Sequence, residues 1–211
     1  MPERGSDAVR LLTAVHFAAI KHAGQRRKDA AASPYINHPV AVAAVLATVG
    51  QVTDPITLMG AVLHDTIEDT STAPHELEEA FGSGVRHLVE ELTDDKRLLK
   101  FERKRRQIMH APTLSRPAKL IKISDKVCNV VDVIHTPPTP WSLDRRRDYL
   151  DWSAAVVAGC HGCHPALERH YITILRHGRA VLTGETDDHC VVCPRCVTDD
   201  AQRPGERDGQ G

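Results

Sequence analysis

Apolar residues recur at helical spacing along most of this chain. Val9, Leu12, Val15 and Ala19 fall three or four apart and predict a helix over residues 7–23, closed by Gly24. After a polar loop holding Pro34, a second helix opens at Asn37 or His38 and runs to Gly50. Pro39 lies in its first turn, where a missing N–H costs nothing. Asp54-Pro55 announces a third helix, which is expected to continue to the Glu68–Asp69 region. A short helix from Pro74 to Phe81 stops at Gly82, and Ser83 is placed to cap another reaching Leu92. The charged stretch 98–110 reads as an exposed helix ended by Pro112. Ser115 and Pro117 start the next one, and Pro137, Pro138 and Pro140 make a rigid link to two last helices over 143–158 and 165–180. No stretch alternates at period two, which argues against a sheet. The expected fold class is therefore all-α, a bundle of about eight to ten helices.

One apolar run is interrupted by ionisable groups. Within residues 61–70, His64, Asp65, Glu68 and Asp69 stand among Ala61, Val62, Leu63 and Ile67. Residues four apart on a helix share a face, so Glu68 follows His64 and Asp69 follows Asp65 toward one volume. Burying unpaired charge is costly, and a core helix has no cheap reason to carry four such groups. The bland alternative is a helix end with solvated acids and an incidental histidine. Two further segments carry similar chemistry. His38 precedes Pro39 in Tyr35-Ile-Asn-His-Pro39, and Asp125 interrupts the apolar run of residues 119–129. Two histidines and two aspartates make a mixed nitrogen and oxygen set that suits a divalent ion with open positions. Such an ion can produce a hydroxide nucleophile near neutral pH.

The order His38, His64-Asp65, Glu68-Asp69, Asp125 resembles the HD-type metal-dependent phosphohydrolases. Further motifs narrow the resemblance: residues 26–29 (RRKD), 34–39 (PYINHP), 63–70 (LHDTIEDT), Phe81-Gly82 with Val85, 92–96 (LTDDK), 102–104 (ERK) and 119–129 (KLIKISDKVCN). Together they resemble the RelA/SpoT hydrolase domain, above all its stand-alone form, the small alarmone hydrolases and the metazoan SpoT homologue. The resemblance covers about residues 7–180. Ile67 stands where valine is more usual, and Ser124 where alanine or a similar small residue is common.

The resemblance implies removal of the 3′-diphosphate from (p)ppGpp. It implies Mn2+ held by His38, His64, Asp65 and Asp125, with Glu68 and Asp69 as catalytic acids and bases. Arg27 and Lys28 would contact substrate phosphates. Asn129, one helical turn beyond Asp125, would contact the nucleoside, with Tyr149 lining the same side. The expected partner is a small nucleotide, with no nucleic acid and no membrane. Two other readings stay open: an HD phosphatase acting on another nucleotide, such as the 2′-phosphate of NADPH, and a non-catalytic HD protein that senses nucleotide.

Length and charge agree with one enzyme domain. A chain of 211 residues supports one substantial core, and no room remains for the nucleotidyltransferase domain that alarmone synthesis would need. The formal net charge of −1 gives no global basic field of the kind that marks nucleic-acid binders. The cations are local: Arg26–Lys28, Lys96–Arg106 and Arg145–Arg147. Most of residues 103–106 and 145–147 read as solvated faces. No apolar stretch reaches 18 residues and the N-terminus lacks a signal-peptide core, so a cytoplasmic location is expected.

Residues 1–182 are expected to form the hydrolase domain and 183–211 a cysteine-containing, flexible tail. Cys160-His-Gly-Cys163 and Cys190-Val-Val-Cys-Pro-Arg-Cys196 could hold a structural Zn2+. A redox pair or an unstructured reduced tail is the alternative. Cys128 reads as a small core residue.

Overall fold

The computed structural model describes residues 6–185, and it is helical as expected. In chain order the helices are α1 (Asp7–Lys21), α2 (Asn37–Thr48), α3 (Pro55–Leu63), α4 (Thr66–Asp69), α5 (Pro74–Phe81), α6 (Ser83–Leu92), α7 (Lys100–His110), α8 (Arg116–His135), α9 (Leu143–Ala158) and α10 (Pro165–Thr183). Ala111–Thr113 form a 3-10 turn between α7 and α8. Among the described residues the only strand pairing is an isolated bridge between Arg26 and Pro34. The tail cysteines Cys190, Cys193 and Cys196 lie outside the described residues.

Several helix starts follow from local chemistry. Ser6 accepts the Val9 N–H and Asp54 accepts that of Thr57 at 2.8 Å. Ser115 and Ser142 do the same for α8 and α9. Each cap satisfies a donor that the first helical turn leaves without an intrahelical partner. The junction of α5 and α6 departs from expectation. Gly82 is the residue between them, and Ser83 is the first helical residue of α6 with no side-chain capping bond.

The core has two parts. Helix α8 runs through the larger one, burying Leu120, Ile121, Ile123, Val127, Val130 and Val131 against α2, α9 and α10. The smaller part joins α1, α3, α5 and α6 around Met59, Val62, Leu63, Leu77 and Val85. It includes an edge-to-face pair of Phe17 and Phe81 with ring centres 5.4 Å apart. Helix α3 is apolar all round and belongs to both parts, with Ala61 in one and Met59 in the other. Its C-terminal end is thereby fixed against α2 and α8, which carry His38 and Asp125.

The third helix is shorter than its periodicity predicts. It ends at Leu63, and the chain turns at His64 and Asp65 before α4 begins. Two side chains explain the break. His64 Nδ1 lies 2.7 Å from the Ala61 carbonyl oxygen, and Thr66 Oγ1 donates to the Leu63 carbonyl at 2.6 Å. Both carbonyls would otherwise accept bonds from N–H groups four residues on, so local side chains end the ladder.

Candidate active site

The donor atoms converge behind Tyr35 and Asn129, two residues that line a cleft. His38 Nε2 is 3.1 Å from Asp125 Oδ1 and 3.9 Å from Asp65 Oδ2. His64 Nε2 is 3.2 Å from Asp65 Oδ2 and 3.9 Å from Asp125 Oδ1. Both histidines are buried, at 4 % and 7 % exposure, and their rings stand 5.5 Å apart. His38, His64 and Asp65 form a candidate metal site, with ligand atoms all within 4.8 Å of one another. The His64 contact with the Ala61 carbonyl requires Nδ1 to carry the proton, which leaves Nε2 free as a ligand atom.

Two carboxylates this close, Asp125 buried and Asp65 partly so, repel, and the surroundings hold both ionised. Burial pushes the Asp125 carboxyl up, yet the Lys126 ammonium at 3.0 Å and the His38 ring hold it well below the usual carboxylate range. Asp65 is lowered against the same burial by His64 and His38. Lys126 is buried beneath Trp152, 4.5 Å from the ring centre, and cannot easily leave Asp125.

Glu68 and Asp69, adjacent on α4, have different partners. Asp69 accepts from Tyr35 Oη at 3.0 Å and pairs with Lys96. Glu68 accepts the Asp94 N–H at 3.1 Å and lies 4.0 Å from Arg103. Burial raises the Glu68 carboxyl to about 7, opposed by the Asp94 N–H. Asp65 and Asp69 thus meet at the Tyr35 hydroxyl, as their spacing of four predicts, while Glu68 turns to Asp94 and Arg103.

Outside this centre the cleft has two lobes. One is a cavity of about 440 Å3 lined by Arg27, Lys28, Tyr35, Asp69, Asn129 and Asp132, among others. The other, about 350 Å3, is lined by Lys28, Lys100, Arg103, Lys104, Arg145 and Trp152, with Asp94 and Asp148 as its acids. Lys28, Trp141 and Tyr149 line both. The Lys28 carbonyl accepts the Thr139 N–H at 3.2 Å, which ties the cationic loop to the proline-rich link.

Helix α8 presents a polar stripe to this cleft. Asn129 donates to Asp125 Oδ1 at 2.5 Å and accepts from Arg27 at 3.3 Å. Arg27 also pairs with Asp132. Asp125, Asn129 and Asp132 fall at i, i+4 and i+7, so Asp132 was legible as a third polar position on an apolar helix. Tyr35 was missed as well. It lies three residues before His38 and donates to Asp65 Oδ2 at 2.7 Å.

The cation runs divide by position. Arg103, Lys104 and Arg145 line the cleft, whereas sequence placed most of their runs on solvated faces. Arg105 and Arg106 are exposed. Arg146 donates to the Val133 and Ile134 carbonyls at 2.9 and 2.8 Å, closing the end of α8, and Arg147 donates to Leu182 at 2.8 Å.

Comparison with known proteins places this geometry. A model of the HD domain matches residues 14–143. MESH1 of Mus musculus, named guanosine-3′,5′-bis(diphosphate) 3′-pyrophosphohydrolase, is 51 % identical over 164 residues, covering 78 % of this chain and 92 % of that protein. The protein of the same name from Drosophila melanogaster is 41 % identical over 169 residues, covering 80 % and 94 %. A solved structure, described as a metazoan ortholog of SpoT that hydrolyzes ppGpp, superposes with a TM-score of 0.79 at 39 % identity. It covers 86 % of this chain and 99 % of that one. No helix among the described residues is long and apolar enough to cross a membrane. The chain belongs to the HD-domain family, in the branch that holds the MESH1 proteins.

Proposed function

We propose that this chain is a metal-dependent guanosine-3′,5′-bis(diphosphate) 3′-pyrophosphohydrolase, converting ppGpp and water to GDP and pyrophosphate, and pppGpp to GTP and pyrophosphate. One observation carries the reading: four nitrogen and oxygen donors converge behind Tyr35 and Asn129, which line a cleft whose walls are cationic and aromatic. The likeness to MESH1 proteins supports it.

The residues present fit a divalent ion. Ligands held about 2.1 Å from one ion lie roughly 3–3.5 Å from each other, close to the His38–Asp125 and His64–Asp65 separations of 3.1 and 3.2 Å. His38, His64, Asp65 and Asp125 would hold it; their mixed donors suit a divalent ion, and the family resemblance points to Mn2+. When bound, the ion supplies Lewis-acid polarisation of the 3′-linked phosphoryl group and of a water molecule.

The protein's own groups do the rest. Glu68 and Asp69 take a proton from the attacking water and return one to the departing 3′-oxygen. A carboxyl at about 7 is suited to such exchange near neutral pH. The P–O bond to the ribose 3′-oxygen breaks as the new P–O bond forms. Arg27 and Lys28 neutralise the 3′-diphosphate, and Lys100, Lys104 and Arg145 offer charge to the 5′-phosphates. Trp141 and Tyr149 give flat apolar surface to the base, while Asn129 orients Asp125 and Arg27 from the shared stripe of α8.

Tyr35 is a positioning residue in this scheme. Its single hydroxyl proton can serve only one carboxylate at a time, and the shorter contact is to Asp65. Stacking on His22, 4.9 Å between ring centres, braces the ring. Tyr35→Phe is expected to lower metal affinity or turnover by roughly 10–100-fold, the usual effect of losing a group that orients a ligand. Metal titration and kinetics that both match the wild type would reduce Tyr35 to packing.

Product analysis tests the whole assignment. Manganese-loaded protein incubated with ppGpp should release GDP and pyrophosphate in equal amounts, measured by ion-exchange chromatography. Binding without turnover would favour a sensing protein. Phosphate release from NADPH with ppGpp left intact would move the site to another phosphate ester.

A further inference from the structure

We propose that Gln25 is a positioning residue for catalysis: its side-chain amide clamps the peptide of Asp69 and so aims the Asp69 carboxylate at the reacting water. The proposal rests on the hydrolase reading above. It adds a residue that belongs neither to the four metal donors nor to the phosphate-binding pair.

Asp69 stands where such a clamp is needed. It closes α4, a helix of four residues, and a single helical turn does not hold itself in water. Its N–H is secured within the turn, bonding to the Asp65 carbonyl at 2.8 Å. Its carbonyl has no intrahelical partner, because the last turn of a helix leaves its C=O groups without one. The Gln25 Nε2 amide, from 44 residues earlier in the chain, donates to that carbonyl. Asp69 is then held on both sides of its Cα, and the direction of its side chain is fixed with it.

The Gln25 amide has one orientation. A carbonyl only accepts, so Nε2 faces Asp69 and Oε1 faces His22 Nδ1, 2.7 Å away. His22 Nδ1 therefore carries a proton and donates it. His22 is buried, and its Nε2 has no hydrogen-bond partner among the described residues. Gln25 is thus the group that fixes this ring, and the ring stacks on Tyr35.

Gln25 reaches the same acid by a second route. The Tyr35 N–H bonds to the Gln25 carbonyl at 3.1 Å, and Tyr35 Oη lies 3.0 Å from Asp69 Oδ2. Backbone and side chain of Gln25 therefore converge on Asp69 from both ends, and both residues line the same lobe of the cleft.

The phosphate-binding part of the loop has anchors of its own. The Arg27 N–H bonds to the Ser33 carbonyl at 2.8 Å, and its guanidinium pairs with Asp132. Asp29 accepts the Ser33 N–H at 3.0 Å, and the Lys28 carbonyl is held by Thr139. Loss of the Gln25 side chain leaves these contacts and the four metal donors in place. Its effect falls on the chemical step.

The test is kinetic and uses the manganese-loaded full chain with ppGpp. Gln25→Met keeps the length of the side chain and removes both of its hydrogen bonds. Its kcat should fall by about 10–100-fold, the upper figure being the cost of a misplacement of roughly 1 Å. KM and metal content should match the wild type. A double-mutant cycle with Asp69→Asn separates positioning from general stability. Asp69→Asn removes the carboxylate that Gln25 aims, so adding Gln25→Met should leave kcat where Asp69→Asn alone puts it. Three results would each overturn the proposal: wild-type kcat in Gln25→Met, a loss confined to KM, or the same fold-loss in both backgrounds. Should circular dichroism show Gln25→Met unfolded, Gln25→Glu takes its place in the cycle, since it keeps an acceptor for His22 and lacks the donor to Asp69. A wild-type chain that leaves ppGpp intact ends the hydrolase reading and this proposal together. An active wild type with an insensitive Gln25 ends the proposal alone.

Discussion

Asp65→Ala should abolish turnover and metal retention together. Its carboxylate is the one group in contact with His64, His38 and Tyr35, at 3.2, 3.9 and 2.7 Å. Removing it leaves two buried histidines and Asp125 around a gap, with the Tyr35 hydroxyl left to Asp69. Loss of a group that merely orients a ligand costs roughly 10–100-fold, so loss of the ligand itself should cost more. His64→Ala should behave alike. Metal content by elemental analysis, turnover of ppGpp and helical content by circular dichroism together give the answer. A folded variant with stoichiometric metal and normal turnover would remove the His64-Asp65 pair from the mechanism.

Glu68→Gln and Asp69→Asn should instead separate chemistry from metal binding. Each keeps shape and removes a basic carboxylate, so turnover should fall by about 10²–10⁴-fold, the usual contribution of general acid–base catalysis. Metal content should stay at the wild-type level, because neither carboxylate is among the four converging donors. Glu68→Gln has a second consequence. Its carboxyl is raised in the folded protein from the ordinary 4.5 to about 7. The folded state therefore holds this proton more tightly than the unfolded chain. That contribution to stability is full below about pH 4.5 and is lost as pH rises through about 7. At pH 8 the metal-free glutamine variant should be more stable than the metal-free wild type by on the order of 1–2 kcal/mol. The advantage should vanish near pH 4.5. Urea unfolding at both pH values measures it. Equal stability at pH 8 would show that Glu68 ionises without cost, and wild-type turnover in both variants would leave these acids as helix-end charges.

The gain in stability expected for an inactive variant has a physical basis. A carboxyl that exchanges protons near pH 7 is partly desolvated and lies near Asp94, Asp65 and Asp69. Those conditions disfavour its charged form whether or not substrate is present.

Much of the site was legible one segment at a time. His38 stands beside a proline at a helix start, Asp125 interrupts an apolar helix, and His64-Asp65 breaks an apolar run. Each is a local conflict between burial and charge, and such conflicts show in sequence. Tyr35 was harder to find because an aromatic residue in a loop gives no conflict. Only the packing of residues 22–36 against α4 brings its hydroxyl to Asp65 and Asp69. Arg145, Arg146 and Arg147 were illegible individually for a related reason. Adjacent residues on a helix face different directions, so one lines the cleft, one closes α8 and one reaches Leu182.

The sequence by itself determined the helical class, most helix starts and the donor types of the candidate metal site. Those features depend on spacing, capping side chains and proline positions, all local to a few residues. The end of the third helix is set by its neighbours in sequence, His64 and Thr66, whereas tertiary structure alone decided which partners Glu68 and Asp69 meet. It also selected the lysines and arginines that form cleft walls. The Ala61 and Leu63 carbonyls are claimed by His64 and Thr66, while Tyr35, Asp94 and Lys96 arrive from distant segments to fix the acids. Periodicity records which residues are buried. The direction of a polar group at a helix break is set by its partners, and those come from elsewhere in the chain.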